Sequence, residues 1–168
     1  MTEIKLEIAW GTGTGSSHIT AFDNALGAAG IRNLNIIRLS SVIPYKATVH
    51  EVSKFRRKFT IGSICYSVMA RIEAKAEWVA AGLGWSLAEE GGVFVERESE
   101  NRASTVDKWL REDLKTLREN REWNWENELH TRTVEEQGSN EIFAGALVAA
   151  IYEIRLVEGV DALTIADI

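Results

Sequence analysis

FDNALGAAGIRNLNIIRLSSVIP, residues 22–44, is the stretch of sequence that says most about this chain. Its first half has apolar residues at helical spacing and reaches Gly30, a typical helix stop. Its second half contains an apolar, strand-like run over residues 34–39. Two adjacent serines, Ser40 and Ser41, follow that run, and the only proline of the chain comes three residues later. The pattern predicts a helix, a turn, and a strand that ends in a pair of hydroxyls.

The composition of the chain describes a single globular domain, residues 1–168. With 168 residues, 45% of them hydrophobic and 26% charged, the chain is long enough to bury a core. A net charge of -6 disfavours a nucleic-acid surface, and the one basic cluster, residues 54–58, is short. The first ten residues alternate polar and apolar, which fits neither a signal peptide nor a membrane span. We therefore expect a cytoplasmic protein with neither a nucleic-acid nor a membrane partner.

Strands and helices in mixed order predict an α+β or α/β fold. Residues 4–8 alternate like a half-buried strand, and glycines at positions 11, 13 and 15 predict that it ends in a flexible loop. Thr20 is the expected cap of the first helix. We expect buried strands at 59–72 and 77–85 and a further strand around 93–96. A helix is expected from Ser104 or Thr105 to about Arg121, with its charged face in solvent. Residues 141–153 are expected to form a strand or a helix.

Three other chemistries have weak support in the sequence. GTGTGSS, residues 11–17, resembles a phosphate-binding loop, but no lysine follows and Ser16 replaces the third glycine of a dinucleotide motif. Cys65 lies in an apolar run, where a buried and inert thiol is the commoner finding. The histidines stand too far apart to predict a metal site: His18, His50 and His130.

Adjacent serines at a strand end permit a specific self-processing reaction. The hydroxyl of Ser41 can attack the carbonyl of Ser40 and convert the peptide bond to an ester. β-Elimination then leaves dehydroalanine, whose hydrolysis gives a pyruvoyl group at position 41. Such a ketone forms a Schiff base with an amine and withdraws electrons from its α-carbon, which suits decarboxylation of an amino acid. Taken alone, a Ser-Ser pair is common, and a structural turn is its ordinary interpretation.

The motifs around the serines resemble the pyruvoyl-dependent arginine decarboxylase family. Residues 22–44 contain an F-D-x-A-L helix, an A-G-I turn, an N-x-N-I/L-I strand and an R-x-S-S-x-x-P processing site, in that order and spacing. GVFVERE at 92–98 is similar to the family's G-x-x-x-E strand. TVEEQG and the alanine-rich run after it, residues 133–150, resemble its C-terminal T-V-E-K block. The resemblance covers most of the chain and is most specific over residues 20–44.

The resemblance implies a fold, a cofactor and a reaction. The fold would be a four-layer αββα sandwich, assembled as a homotrimer with active sites between subunits. Self-cleavage would give a small β chain, residues 1–40, and a larger α chain, residues 41–168. The cofactor would be a covalent pyruvoyl group derived from Ser41, without a metal. The reaction would convert L-arginine to agmatine and carbon dioxide.

The resemblance also assigns roles to individual residues. Glu96 matches the acid that protonates the α-carbon after carbon dioxide leaves, and we expect residues 93–95 to give it the apolar setting that a protonated carboxyl needs. Asn35 matches a catalytic asparagine beside the cofactor, suited to hydrogen-bonding the substrate carboxylate or the pyruvoyl carbonyl and to assisting cleavage. Asp23 matches the carboxylate that binds the substrate guanidinium, and Leu26 is placed to pack against the substrate's methylenes.

Each of these residues also has an ordinary structural interpretation: an exposed strand glutamate, a turn asparagine, a helix-stabilising acid and a core leucine. Asn24 departs from the smaller residue usual in the family, and Tyr45 lies in a region that varies. Three alternatives to arginine decarboxylation therefore stay open. The protein could be an uncleaved and inactive relative, a small-molecule binding module with the same fold, or a decarboxylase of another amino acid.

Overall fold

Residues 4–157, the part of the chain that this computed structural model describes, form nine strands and two helices. The elements in chain order are β1 (Ile4–Gly15), α1 (His18–Ala29), β2 (Asn35–Arg38), β3 (Val42–Ile43), β4 (Ala47–Ser53), β5 (Ile64–Ala74), β6 (Trp78–Ala88), β7 (Gly91–Ser99), α2 (Ala103–Glu119), β8 (His130–Gln137) and β9 (Phe143–Arg155). The predicted α+β class is confirmed.

The strands form two sheets, and the chain crosses from one to the other at the paired serines. Sheet A has the order β2-β5-β9-β1-β4, and sheet B has the order β3-β7-β6-β8. At one edge of sheet A, β2 pairs in parallel with β5, whereas at one edge of sheet B, β3 pairs antiparallel with β7. Residues 39–41 are the whole connection between these two edge strands.

Three apolar clusters hold the layers together. The first lies between the sheets and joins residues such as Ile8 and Val148 of sheet A to Leu83 and Phe94 of sheet B. A second cluster packs α1 against sheet A, and a third packs α2 against sheet B. The order helix, sheet, sheet, helix is compatible with the predicted four-layer sandwich.

The expectation that the first strand ends at its glycines is wrong, because β1 continues to Gly15 and pairs with β9 from Glu7 to Gly15. The glycines allow α1 to lie directly on the strand: a Cβ at Gly13 would come within 2.6 Å of the Asn24 side chain. A Cβ at Gly11 would collide with the carbonyl of Ala25. The segment is therefore a packing surface, and it does not form the loop that a phosphate site requires.

Helix α1 has well-formed ends. Ser17, rather than Thr20, is the N-cap; Thr20 lies three residues later and completes a capping box with it. Gly30 ends the helix in the left-handed conformation with φ 78°, as the sequence predicts. This fixes the turn that leads into β2.

The strand expected around residues 93–96 and those expected over 77–85 and 59–72 are confirmed as β7, β6 and β5, although β5 begins only at Ile64. Residues 143–155 form a strand. Helix α2 begins at Ala103, one or two residues before the predicted start. The first N–H of the helix, that of Ala103, donates to the Glu135 carboxylate of β8 at 2.6 Å. The N-cap residue Arg102 makes no side-chain cap of its own.

The sequence suggested that the charged face of α2 is solvated, but part of this face binds side chains of sheet B. Asp113 accepts a 2.5 Å hydrogen bond from Arg97 of β7. Asp107 binds Arg111 on its own helix and Thr131 on β8. These polar contacts fasten the helix to sheet B alongside its apolar face.

Candidate active site

The link between Ser40 and Ser41 is held on both sides by backbone hydrogen bonds. On the sheet A side, the Leu39 N–H donates to the carbonyl of Ser67 at 3.0 Å. On the sheet B side, the Phe94 N–H donates to the carbonyl of Ser41 at 2.9 Å. The peptide bond between Ser40 and Ser41 therefore lies in the connection between two edge strands, and this connection is hydrogen-bonded to both sheets.

The link is bent into a tight three-residue turn centred on Ser41. The Val42 N–H donates to the Ser40 carbonyl at 2.8 Å. Because Ser41 does not have a positive φ, this is the inverse γ-turn, the form common at strand ends. The carbonyl that would receive the serine hydroxyl already accepts an N–H donor. A donor in that position stabilises negative charge that develops on the oxygen.

Glu96 is placed directly against the serine hydroxyl. The Oγ of Ser41 donates to Oε2 of Glu96 at 2.7 Å, and the two residues are 55 positions apart in sequence. Glu96 lies on β7 opposite Leu83 of β6, and its side chain is partly buried. A carboxylate bound to a hydroxyl in this way can accept its proton.

The apolar setting predicted for Glu96 is only partly correct. Phe94, two residues earlier, lies on the same face of the strand and belongs to the core between the sheets. Val93 and Val95 belong instead to the cluster under α2. Side chains alternate across a strand, so immediate neighbours in sequence face the opposite side.

Tyr152 of β9 completes this group, and the sequence analysis missed it. Its hydroxyl donates to the Val42 carbonyl at 2.8 Å, and its ring meets that of Phe94 edge-on, with centroids 6.4 Å apart. Burial, followed by the negative charge of Glu96, raises the pKa of the Tyr152 phenol well above its usual range. The one available signal was its polar tip at the end of the apolar run over 141–153.

Leu26 and Asn35 lie together in a second place, a pocket of about 300 Å³ on the outer side of sheet A. The Asn35 amide donates to the Gly62 carbonyl at 2.8 Å, which orients its side chain. Two guanidinium groups that the sequence analysis did not foresee, those of Arg38 and Arg71, also line this pocket. The pocket thus combines an apolar wall with positive charge.

Asp23 has a guanidinium partner within its own chain. Nε of Arg32 lies 3.1 Å from a carboxylate oxygen of Asp23, and the same side chain donates to the Asp23 carbonyl and to Asn24. Gly27 provides the space, because a Cβ there would collide with the Arg32 guanidinium. Both side chains of the pair are about half exposed, 55% for Asp23 and 41% for Arg32.

In the structure, the predicted site residues therefore fall into two separate groups. Ser40, Ser41 and Glu96 form one group, and Leu26 and Asn35 share the pocket, with Asp23 on the same helix as Leu26. Within residues 4–157, no direct hydrogen bond or ion pair joins Ser41 or Glu96 to the other predicted site residues.

The other candidate chemistries find no support among the described residues. Burial raises the pKa of the Cys65 thiol to about 11, so it is protonated and inert at neutral pH. In residues 4–157, no group of three or more histidine, cysteine or carboxylate side chains is arranged to hold a metal ion. No helix in this part of the chain is long and apolar enough to cross a membrane.

Fold and site together define an α+β protein in which a serine hydroxyl, bound to a carboxylate, lies where the chain passes between two sheets. The family model for pyruvoyl-dependent arginine decarboxylase matches residues 5–155. The chain belongs to this family.

Individual relatives agree with the family model. The chain is 32% identical over 151 residues to a pyruvoyl-dependent arginine decarboxylase of Halobacterium salinarum, which covers 88% of this chain and 93% of the relative. It is 31% identical over 121 residues to one of Methanococcus vannielii, covering 70% and 73%. It is 37% identical over 86 residues to one of Thermococcus sibiricus, covering 49% and 53%.

Family membership implies a covalent pyruvoyl group, and the residues around Ser41 fit its formation. The Ser41 hydroxyl has an acceptor for its proton in Glu96, and the Ser40 carbonyl has a donor in the Val42 N–H. The carbonyl of Ser41 itself, which would remain on the new chain end, is bound by the Phe94 N–H.

Proposed function

We propose that this protein cleaves itself between Ser40 and Ser41 and then decarboxylates L-arginine to agmatine and carbon dioxide. The observation that carries the proposal is the 2.7 Å hydrogen bond from the Ser41 hydroxyl to Glu96, beside a Ser40 carbonyl that accepts an N–H bond. The turn itself accounts for the N–H donor on the carbonyl, but a turn with a purely structural role would not need a carboxylate on the serine hydroxyl.

The cleavage begins with proton transfer from the Ser41 hydroxyl to Glu96. The hydroxyl oxygen bonds to the Ser40 carbonyl carbon while the Val42 N–H stabilises the charge on the carbonyl oxygen. The carbon–nitrogen bond then breaks, and the proton passes to the Ser41 nitrogen, which leaves an ester. Loss of the Ser41 α-proton expels the Ser40 carboxylate and leaves dehydroalanine at position 41. Water then hydrolyses the dehydroalanine, which releases its nitrogen as ammonia and leaves the ketone.

The pyruvoyl carbonyl supplies an electrophile that holds the substrate amine and withdraws electrons from the α-carbon. The residues of the chain then handle protons and position the substrate. Glu96, already beside position 41, delivers a proton to the substrate α-carbon after carbon dioxide has left. Asn35 hydrogen-bonds the substrate carboxylate or the carbonyl at position 41, and Leu26 packs against the methylenes of the substrate.

A homotrimer with sites between subunits accounts for the separation of the two groups. Ser41 lies where the chain crosses between the sheets and binds Glu96 of β7, whereas Leu26 and Asn35 line a pocket on the outside of sheet A. Large apolar side chains near the edge strands β2 and β3 are exposed, at 44% for Ile37, 54% for Val42 and 59% for Tyr45. These side chains are available to an interface between subunits. In the trimer, we propose that Asp23 of one subunit faces Ser41 of its neighbour.

Asp23 receives the substrate guanidinium in this proposal, and Arg32 competes with it. Arg32 and the substrate both carry a planar guanidinium donor, so the ion pair between Asp23 and Arg32 must open before the substrate can bind. An exposed ion pair contributes about 0.2–1 kcal/mol. Arg32 therefore weakens arginine binding by only a few-fold and does not prevent it.

The first prediction concerns self-cleavage. Purified protein should separate into two chains, residues 1–40 and 41–168, when it is analysed by denaturing electrophoresis and mass spectrometry. Ser41→Ala should remain full-length and inactive, because it lacks the attacking oxygen. Ser41→Cys should cleave slowly, since a thiol can make the same shift.

Ser40→Ala is the matched control, because it removes a hydroxyl from the neighbouring position and keeps the carbonyl that is attacked. It should cleave like the wild type. Wild-type protein that stays full-length and lacks activity would favour the uncleaved relative or the binding module. Full-length protein that still decarboxylates arginine would refute the pyruvoyl mechanism.

The second prediction concerns Glu96. Glu96→Gln should cleave more slowly, because an amide cannot accept the Ser41 proton. Molecules that have cleaved should bind arginine but turn over about 10²–10⁴-fold more slowly, as general acid catalysis is worth that much. The measurement is carbon dioxide release per cleaved chain. Glu98→Gln on the same strand is the control, and equal turnover in both variants would remove Glu96 from the mechanism.

The third prediction concerns the substrate. Asp23→Asn should lower kcat/KM for arginine by roughly 10- to 100-fold, because a hydrogen bond to a charged group is worth about 1.5–3 kcal/mol. Arg32→Ala should lower KM for arginine by about two- to fivefold, since it releases the carboxylate from its internal partner. Neither change should affect cleavage. Carbon dioxide release from arginine, lysine, ornithine and citrulline provides the measurement.

Lys108→Ala removes one member of an exposed ion pair on α2 and serves as the control for Arg32→Ala. Its KM for arginine should equal that of the wild type. A wild type that prefers citrulline, or an Asp23→Asn variant with unchanged arginine kinetics, would overturn the arginine assignment while leaving the self-cleavage proposal intact.

A further inference from the structure

The strand that follows the serine pair is short. Strand β3 has two residues, Val42 and Ile43, and lies at the edge of sheet B. Its ladder pairs with β7 at Val93 and Gly92. A strand this short contributes few ladder hydrogen bonds, so it holds the adjoining Ser41 less firmly than a longer strand would.

Tyr152 supplies an attachment from the opposite sheet. It lies on β9, in the middle of sheet A, and its side chain reaches across the gap between the sheets to the carbonyl of Val42. The edge-on contact with Phe94 fixes the direction of its ring. A single side chain thereby ties the edge strand of one sheet to a central strand of the other.

The hydrogen bond acts on the residue next to the reacting atoms. The N–H of Val42 is the donor to the Ser40 carbonyl, and its carbonyl is the acceptor for Tyr152. Only the φ and ψ torsions of Val42 separate its N–H from its carbonyl, so a hydrogen bond that holds the carbonyl narrows the orientations open to the N–H. Without that bond, the tight turn that sets the Ser41 hydroxyl beside Glu96 and the Ser40 carbonyl is held less firmly.

The phenol is suited to this task at physiological pH. Burial and the adjacent negative charge of Glu96 raise the pKa of Tyr152, so the hydroxyl keeps its proton and continues to donate. A phenolate could not donate to a carbonyl.

We infer that Tyr152 is a positioning residue for self-cleavage. By holding the Val42 carbonyl, it fixes the turn in which the Ser41 hydroxyl is aimed at the carbonyl carbon of Ser40. After cleavage, the same hydrogen bond keeps the new chain end beside Glu96. This inference rests on the proposed self-cleavage, to which it adds a residue from the opposite sheet.

The test is Tyr152→Phe, which keeps the ring and its contact with Phe94 but removes the hydroxyl. The conversion of freshly purified full-length protein to two chains is followed by intact mass. We expect the rate to fall roughly 10- to 100-fold, since a small misplacement of reacting groups can cost about 10²-fold. Thermal unfolding should remain cooperative. Among cleaved molecules, kcat should fall while KM for arginine stays unchanged.

Tyr66→Phe is the matched control. This tyrosine lies on β5 in the same sheet, with its ring 5.2 Å from the Arg155 guanidinium. Its cleavage rate should equal that of the wild type. If both variants slow cleavage equally, or if Tyr152→Phe cleaves at the wild-type rate, the inference is wrong.

Hydroxylamine separates positioning from a later chemical role. It breaks an ester once the ester has formed, so it accelerates elimination-limited cleavage but not a slow acyl shift. Tyr152→Phe should remain slow in hydroxylamine, and restoration of the wild-type rate would contradict the inference.

If Tyr152→Phe does not fold, Tyr152→Met, whose flexible apolar chain fills irregular space, takes its place in the same comparisons. A wild type that never cleaves would instead refute the proposed function itself.

Discussion

The passage of the chain from one sheet to the other through Ser40 and Ser41 is the constraint on which the rest of the site depends. Strands β2 and β3 are edge strands of different sheets, and a connection of three residues allows little freedom between them. The backbone bonds from Leu39 to Ser67 and from Phe94 to Ser41 fix its two ends. The serine pair is therefore bent where it is also anchored, and the proposed attack on the neighbouring carbonyl would start from this bend.

The position of Glu96 follows from this passage. The register of β7 places Val93 opposite Val42, so Phe94 and Glu96 project from the strand beside the serine link. Phe94 contributes its N–H to the Ser41 carbonyl and its ring to the core between the sheets. One strand thus provides the backbone anchor, the apolar contact and the carboxylate.

Sequence reasoning succeeded where the determining contacts were local. The Gly30 stop and the strand after it could be predicted from neighbouring residues, because a left-handed helix stop and a short apolar run are properties of short segments. The family motifs then placed Ser41 and Glu96 together. That pairing, across 55 positions, needed the resemblance, since nothing near either residue indicates the other.

The remaining features depend on packing between distant parts of the chain. Gly11 and Gly13 suggested a loop because their closeness to α1 could not be foreseen from the sequence. The run over 141–153 was ambiguous, because β9 is buried on both faces and loses the alternation that marks a strand. The contacts of Arg32 with Asp23 and of Tyr152 with Val42 likewise appear only once the fold brings them together.

In the proposed reaction, the Ser41 hydroxyl oxygen, and not water, breaks the Ser40 peptide bond. The most direct measurement is cleavage of freshly purified full-length protein in water enriched in the heavy oxygen isotope, followed by mass analysis of the small chain. The acyl shift transfers the serine oxygen to the new carboxylate of Ser40, so this account predicts no isotope in residues 1–40. A small chain that carries one heavy oxygen would show that water cleaved the bond, and would contradict the account.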